Sequence, residues 1–140
     1  MCPFCDLAKD TQRNRIIRSN KLTTTFLSNP RLVPGHTLVI PNRHIEKPWE
    51  LTQEELIAIF DEIKWVEGQL LDGGLGTGVD IRQHYRPFLP QGEIKIDHVH
   101  FHALPRHGED EIFTKSQHYE MDMFKELSDD ERETVSQIFK

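Results

Sequence analysis

A chain of 140 residues is long enough to bury one hydrophobic core and too short for two independent domains. Its 36% hydrophobic and 29% charged residues are those of a soluble protein, no apolar run nears the ~20 residues of a membrane-spanning helix, and a net charge of −6 argues against gripping long nucleic-acid backbones. The N-terminus has no basic-then-apolar signal pattern, so a cytoplasmic location is expected.

The chain opens on Cys2-Pro3-Phe4-Cys5. A redox Cys-x-x-Cys follows a strand and opens a helix, but only one residue precedes Cys2, and a disulfide is disfavoured in the cytosol. The pair therefore reads as half of a metal site. Residues 10–20 are polar and basic without a clean period and stay unassigned. Leu22 to Leu27 favours a strand, Ser28-Asn29-Pro30 and Pro34-Gly35 read as turns, and His36 to Ile40 reads as a strand closed by Pro41. Thr52 and Glu55 form a capping box, after which Leu56, Ile59, Phe60, Ile63, Val66 and Leu70 recur at helical spacing until Asp72-Gly73-Gly74. One long amphipathic helix is expected there. Val79 to His84 reads as a strand, 87–92 as a loop, and Glu93 to Leu104 as a strand stopped by Pro105. Ser128 and Glu131 mark a short C-terminal helix, and the acidic run 109–111 a solvated loop.

Within the last strand, His98, His100 and His102 alternate with Val99, Phe101 and Ala103, so three imidazoles share one face with Cα atoms about 6.6 Å apart in succession. A three-histidine metal site is disfavoured, because the outer pair would lie about 13 Å apart. One imidazole acting as a nucleophile toward phosphorus, with the others orienting phosphate oxygens, fits better. Arg82, Arg86, Lys95, Arg106 and His107 surround this segment with positive charge, while acids concentrate at 50–67 and 109–133.

His98-Val99-His100-Phe101-His102-Ala103-Leu104, followed by Pro105-Arg106, resembles the motif of the histidine-triad (HIT) family. Phe26-Leu27-Ser28, Val33 to Pro41 and Arg43-His44-Ile45 resemble that family's N-terminal half. The likeness covers roughly residues 1–107 and leaves 108–140 uncovered. It implies an α+β fold, with a mostly antiparallel sheet of about five strands and one long helix, in a single domain over 1–140 that is often a homodimer and binds nucleotides. It implies His100 as the nucleophile at the α-phosphorus and His102 as the contact to the substrate phosphate or bridging oxygen, with Arg106 close by. It also implies a structural zinc held by Cys2, Cys5, His44 and His98, with His36 structural or near the phosphate. The sequence departs from the family where Lys95 replaces a Ser or Thr and Ser28 stands where Asp or Asn commonly meets ribose. Gln83 or Gln91 then stands in for the usual amide, Phe26 and Leu27 are candidates to flank a base, and Arg82 and Arg86 extend the cationic surface. Water and orthophosphate both remain open as final acceptor. So does a nucleotide-binding sensor or scaffold with little catalysis.

Overall fold

Residues 2–9, 13–92 and 95–139 are described by the structure, a computed structural model. They fall into two compact units, Met1–His107 and Gly108–Lys140.

The first unit begins with α1 (Pro3–Lys9), a helix that opens on its proline, where the missing N–H costs nothing. Then come β1 (Ile16–Ser19), β2 (Thr23–Leu27) and β3 (Thr37–Pro41). The long helix α2 (Gln53–Asp72) starts at the Thr52 and Glu55 capping box, closed in both directions, and is followed by β4 (Gly78–Gln83) and β5 (Phe101–Arg106). All neighbouring strands are antiparallel, in the order β1-β2-β3-β5-β4.

Strand alternation divides the core between the two faces of this sheet. On one face Val39, Val99, Phe101 and Ala103 meet Ile59, Ile63, Val66 and Leu70 of α2. Burying each large side chain of this stripe contributes about 1.5–3 kcal/mol. On the other face Phe4 and Leu7 of α1 cover Phe26, Leu38 and Ile40. The register places Ile16, Phe26, Leu38, His102 and Arg82 in one transverse row on that face, which runs from apolar at β1 to cationic at β4. Helix α1 covers the apolar part of this face and leaves its polar end open.

The histidine segment departs from the long strand expected over 93–104, whose first residues, 93 and 94, lie outside the described residues. Regular pairing begins at Phe101, opposite Val39. Before it the chain turns tightly, with His98 N–H donating to Ile96 O at 2.9 Å, and Val99 N–H then donates to Ile45 O at 2.7 Å. The ladder stops because β3 ends at Pro41, which has no N–H to offer. His98 is thereby released from the flat alternation and takes a different set of neighbours from His100 and His102.

In the second unit, a π-helical turn (Phe113–Gln117) leads into α3 (His118–Met121), and α4 (Asp129–Ser136) follows Ser128, whose hydroxyl accepts the Glu131 N–H at 3.2 Å. Among the described residues no helix is long and apolar enough to cross a membrane.

Candidate active site and metal centre

Cys2 and Cys5 sit one turn apart at the start of α1, His44 in the loop after β3, and His98 in the turn before β5. Their ligand atoms all lie within 4.8 Å of one another. His98 Nδ1 is 3.4 Å from Cys2 Sγ and 3.5 Å from Cys5 Sγ, and His44 Nδ1 is 3.3 Å from Cys5 Sγ. Bond lengths of about 2.3 Å to sulfur and 2.0 Å to nitrogen give a sulfur–nitrogen edge near 3.6 Å around a tetrahedral ion, so the spacing suits one. The tautomer suits it as well. His98 Nε2–H donates to Pro41 O at 2.8 Å, which leaves Nδ1 unprotonated toward the thiols. Residues that lie up to 96 positions apart in sequence thus converge close enough to hold a metal.

His100 stands beside this cluster, edge-on to Phe4 with ring centroids 5.2 Å apart. Its Nδ1 lies 2.6 Å from His98 O. A carbonyl only accepts, so Nδ1 carries the proton and Nε2 presents its lone pair. Burial holds the His100 pKa below the usual imidazole value, against the opposing pull of that carbonyl. The ring is therefore neutral and oriented, which are the two requirements of an imidazole nucleophile.

His36 and His102 form a second oriented pair. Leu32 N–H donates to His36 Nδ1 at 3.0 Å, so the proton of His36 sits on Nε2, which lies 2.8 Å from His102 Nδ1. His102 Nδ1 must accept, and its own proton is displaced to Nε2. That Nε2 is buried and has no partner among the described residues. Burial, followed by the nearby His100, lowers the pKa of His36 to about 4 and that of His102 to about 3. The chain of bonds thus delivers one unsatisfied N–H donor next to His100, whose ring centroid is 4.8 Å from that of His102. A buried orphan donor costs free energy unless something accepts from it, and a phosphoryl oxygen is a strong acceptor.

The remaining sequence candidates are spread more widely. Phe26 lies in the row of His102 but is wholly buried against Phe4, which leaves it no surface for a base. Leu27 and Gln83 pair with Thr37 and Phe101, which puts them on the α2 face. The Ser28 hydroxyl is engaged within its own turn, donating to Pro30 O at 2.8 Å. Gln91 and Lys95 meet at Asp97: the Gln91 side-chain oxygen accepts the Asp97 N–H at 3.0 Å, and Lys95 pairs with the Asp97 carboxylate. Arg106 pairs with Asp80, a carboxylate that Arg82 approaches to 3.5 Å. Sequence reading passed over His84, whose ring centroid is 5.2 Å from that of His102, and Phe4, the wall behind His100. Apolar spacing gives no hint of either, because one depends on strand register and the other on where α1 lands.

Against known proteins, the HIT domain model matches residues 9–109. An uncharacterized HIT-like protein of Methanocaldococcus jannaschii is 31% identical over 114 residues, spanning 80% of this chain and 84% of its own. The adenosine 5'-monophosphoramidase hnt1 of Schizosaccharomyces pombe is 30% identical over 112 residues, spanning 78% and 77%. A crystal structure of a member of the HIT family from Bacillus subtilis superposes with a TM-score of 0.72 at 22% identity, covering 97% of this chain and 92% of that one.

Proposed function

The chain belongs to the HIT domain family, and from that premise we propose that it is a nucleotide hydrolase or nucleotidyltransferase acting at the α-phosphorus of a phosphoanhydride or phosphoramidate through a nucleotidylated His100. The observation that carries this reading is the His100 Nδ1 proton tied to His98 O at 2.6 Å, which leaves Nε2 as the free lone pair. In the first step Nε2 forms a bond to phosphorus while the bond to the leaving oxygen or nitrogen breaks. In this reading the His102 Nε2–H, which has no partner among the described residues, donates to a phosphoryl oxygen or to the bridging atom, where charge grows. In the second step water attacks phosphorus, the nitrogen–phosphorus bond breaks, and His100 is regenerated with a nucleoside monophosphate. Orthophosphate in the role of water makes the enzyme a phosphorylase that releases a nucleoside diphosphate. Reactions run with and without phosphate separate the two.

The test is to quench the reaction and weigh the protein, expecting one nucleotidyl group on His100, and to measure His100→Ala, expecting kcat to fall at least about a thousandfold. Full turnover by His100→Ala would end the proposal. A second reading, a nucleotide-binding sensor or scaffold with little catalysis, draws on Lys95 and Ser28, the one paired to a carboxylate and the other bonded within its own turn. Tight nucleotide binding without turnover across a broad substrate panel would favour it.

We assign zinc to Cys2, Cys5, His44 and His98, whose two thiols and two imidazoles are the donor types that ion prefers in structural sites. When bound, it holds these segments together and takes no part in phosphoryl transfer. Free cysteines used as ligands suit a reducing compartment, which supports a cytoplasmic enzyme. As its partner we propose a second copy of the chain, from the exposed Leu56, Ile57 and Phe60 of α2 beside Ile81 on the edge strand β4. Sedimentation analysis giving a monomer at micromolar concentration would remove that element.

A further inference from the structure

The second step of the proposed reaction releases a proton from water, so some group on the histidine face must accept it. Most of the imidazole lone pairs there are already committed. His98 Nε2–H donates to Pro41 O, and its Nδ1 faces the thiols of Cys2 and Cys5. His100 is tied through Nδ1 to His98 O, and its Nε2 is the atom that carries phosphorus in that step. His102 Nδ1 accepts from His36 Nε2 at 2.8 Å, and His36 Nδ1 accepts from Leu32 N–H at 3.0 Å. For His102 Nε2 to become an acceptor, the protons of this chain would have to shift until one met the Leu32 N–H head-on. The pair is locked in its donor form. The carboxylates nearby are held as well, Asp80 by Arg106 and Arg82, and Asp97 by Lys95.

His84 is the exception. It follows the last residue of β4, and the register, continued one residue past the pair Gln83 and Phe101, brings it across from His100. Its ring lies on the histidine face, tilted 37° to that of His102 with centroids 5.2 Å apart, and the His102 ring is in turn 4.8 Å from that of His100. The Gln83 side chain donates to the His84 carbonyl at 2.8 Å, but among the described residues no hydrogen bond reaches the half-buried His84 ring, so either nitrogen can present a lone pair. Burial, then Arg86, His100 and Arg82, lower its pKa below the ordinary imidazole value, which keeps that lone pair available at neutral pH. We infer that His84 is the general base of the second step, taking a proton from the water that attacks phosphorus on nucleotidylated His100. This inference rests on the nucleotidyl-transfer reading and adds to it a residue outside the histidine triad. A phosphoryl oxygen bonded to His102 Nε2–H places phosphorus beside a ring that His84 touches, and a water about 3–3.5 Å from phosphorus is then in hydrogen-bond reach of His84. As the water oxygen bonds to phosphorus, the phosphorus–nitrogen bond breaks with its electron pair returning to His100 Nε2, and the proton passes to His84 and on to solvent. Orthophosphate, already an anion, needs no such base, so His84 favours water as the acceptor.

The test uses the full chain and the p-nitrophenyl ester of adenosine 5'-monophosphate, whose leaving group departs as a coloured anion without a proton donor. Wild type is compared with His84→Gln, and with His84→Ala in the presence and absence of added imidazole. His84→Gln is expected to release about one equivalent of nitrophenolate per chain in a burst and then to turn over at least about a hundredfold more slowly than wild type, with nucleotidylated His100 accumulating by mass. Fluoride ion, which has no proton to lose, should restore turnover of His84→Gln at least about tenfold and yield adenosine 5'-fluorophosphate, and imidazole should restore His84→Ala to a similar extent. The burst reports that each variant folds, and a merely structural loss would slow burst and steady state together. A steady-state rate within about threefold of wild type, or equal slowing of both phases without rescue, overturns the assignment of His84 alone. A wild type that neither turns over nor becomes nucleotidylated overturns nucleotidyl transfer itself, and His84 as its base with it.

Discussion

His36 is a residue whose protonation would break one of its two ring hydrogen bonds. Its Nδ1 accepts from Leu32 N–H and its Nε2 donates to His102, so a second proton has to displace the first of these contacts. Burial lowers its pKa to about 4, against about 6.5 in an unfolded chain. The unfolded state therefore binds the extra proton first as pH falls, and the stabilisation is complete above pH 6.5 and lost progressively between 6.5 and about 4. Urea unfolding at pH 7 and pH 5 should show wild type losing roughly 2 kcal/mol more between the two than His36→Asn does. An identical loss in both proteins would show that His36 does not carry the acid sensitivity. The preceding residue is constrained by geometry instead. Gly35 has φ +85°, and a Cβ there would come within 2.8 Å of the Pro105 ring. Gly35→Ala is expected to cost about 1–3 kcal/mol and to lower kcat by moving His36, as thermal melts and steady-state kinetics would register.

At the scale of elements, α2 is held to the sheet by charge as well as by its apolar stripe. Glu62 is buried on its inner face and receives Arg18 of β1 through two bonds of 3.0 and 2.8 Å and the Thr25 hydroxyl of β2 at 2.9 Å. Arg18 also lies over the Trp65 ring, 3.4 Å from its centroid. Glu62→Gln keeps the shape but strips the charge from three donors, and should lower stability by about 1–2 kcal/mol, the partial exposure of Arg18 limiting the loss. A change under about 0.5 kcal/mol in urea denaturation would mean that packing alone seats the helix. This network also shows why β1 is invisible in the sequence. Its short run Ile16–Ser19 sits at the sheet edge with three of four residues exposed and a shifted register, so it carries no alternation to detect. Helix α1 is equally hidden, being too short to show a helical period. By contrast α2 announces itself through its capping box and its apolar spacing, and β2, β3 and β4 agree with expectation to within a residue or so at their ends. The three histidines were legible as a motif, and the separate roles expected of them came from the family resemblance alone, because the turn at 96–98 that swings His98 toward the cysteines leaves no mark in the apolar pattern.

At the scale of the first unit, the thiol and imidazole cluster ties together three places that the sheet alone does not fasten: α1, the loop after β3 and the turn before β5. Two of these define the surroundings of His100, the proposed nucleophile. Phe4 lies between the two cysteines in sequence and packs edge-on against His100 at 5.2 Å and Phe26 at 5.3 Å. A metal ion bound only by the folded arrangement stabilises it by its binding free energy, which for structural zinc is large on the scale of a domain's net stability. Chelation at neutral pH should therefore lower the melting temperature by at least about 10 °C, several kcal/mol at roughly 4 °C each for a chain of this size. Hydrogen exchange should speed first at residues 3–9, in the loop after β3 and in the turn before β5, while α2 and the β2–β3 pair remain protected, because those three segments are the ones that the cluster ties together. Cys2→Ser should reproduce both effects and bind less than stoichiometric zinc, whereas Phe4→Ala should keep its zinc and lose kcat by loosening the wall behind His100. Protein isolated without added metal that contains no zinc, and whose melting temperature ignores both chelator and Cys2→Ser, would show that the four residues meet without holding an ion.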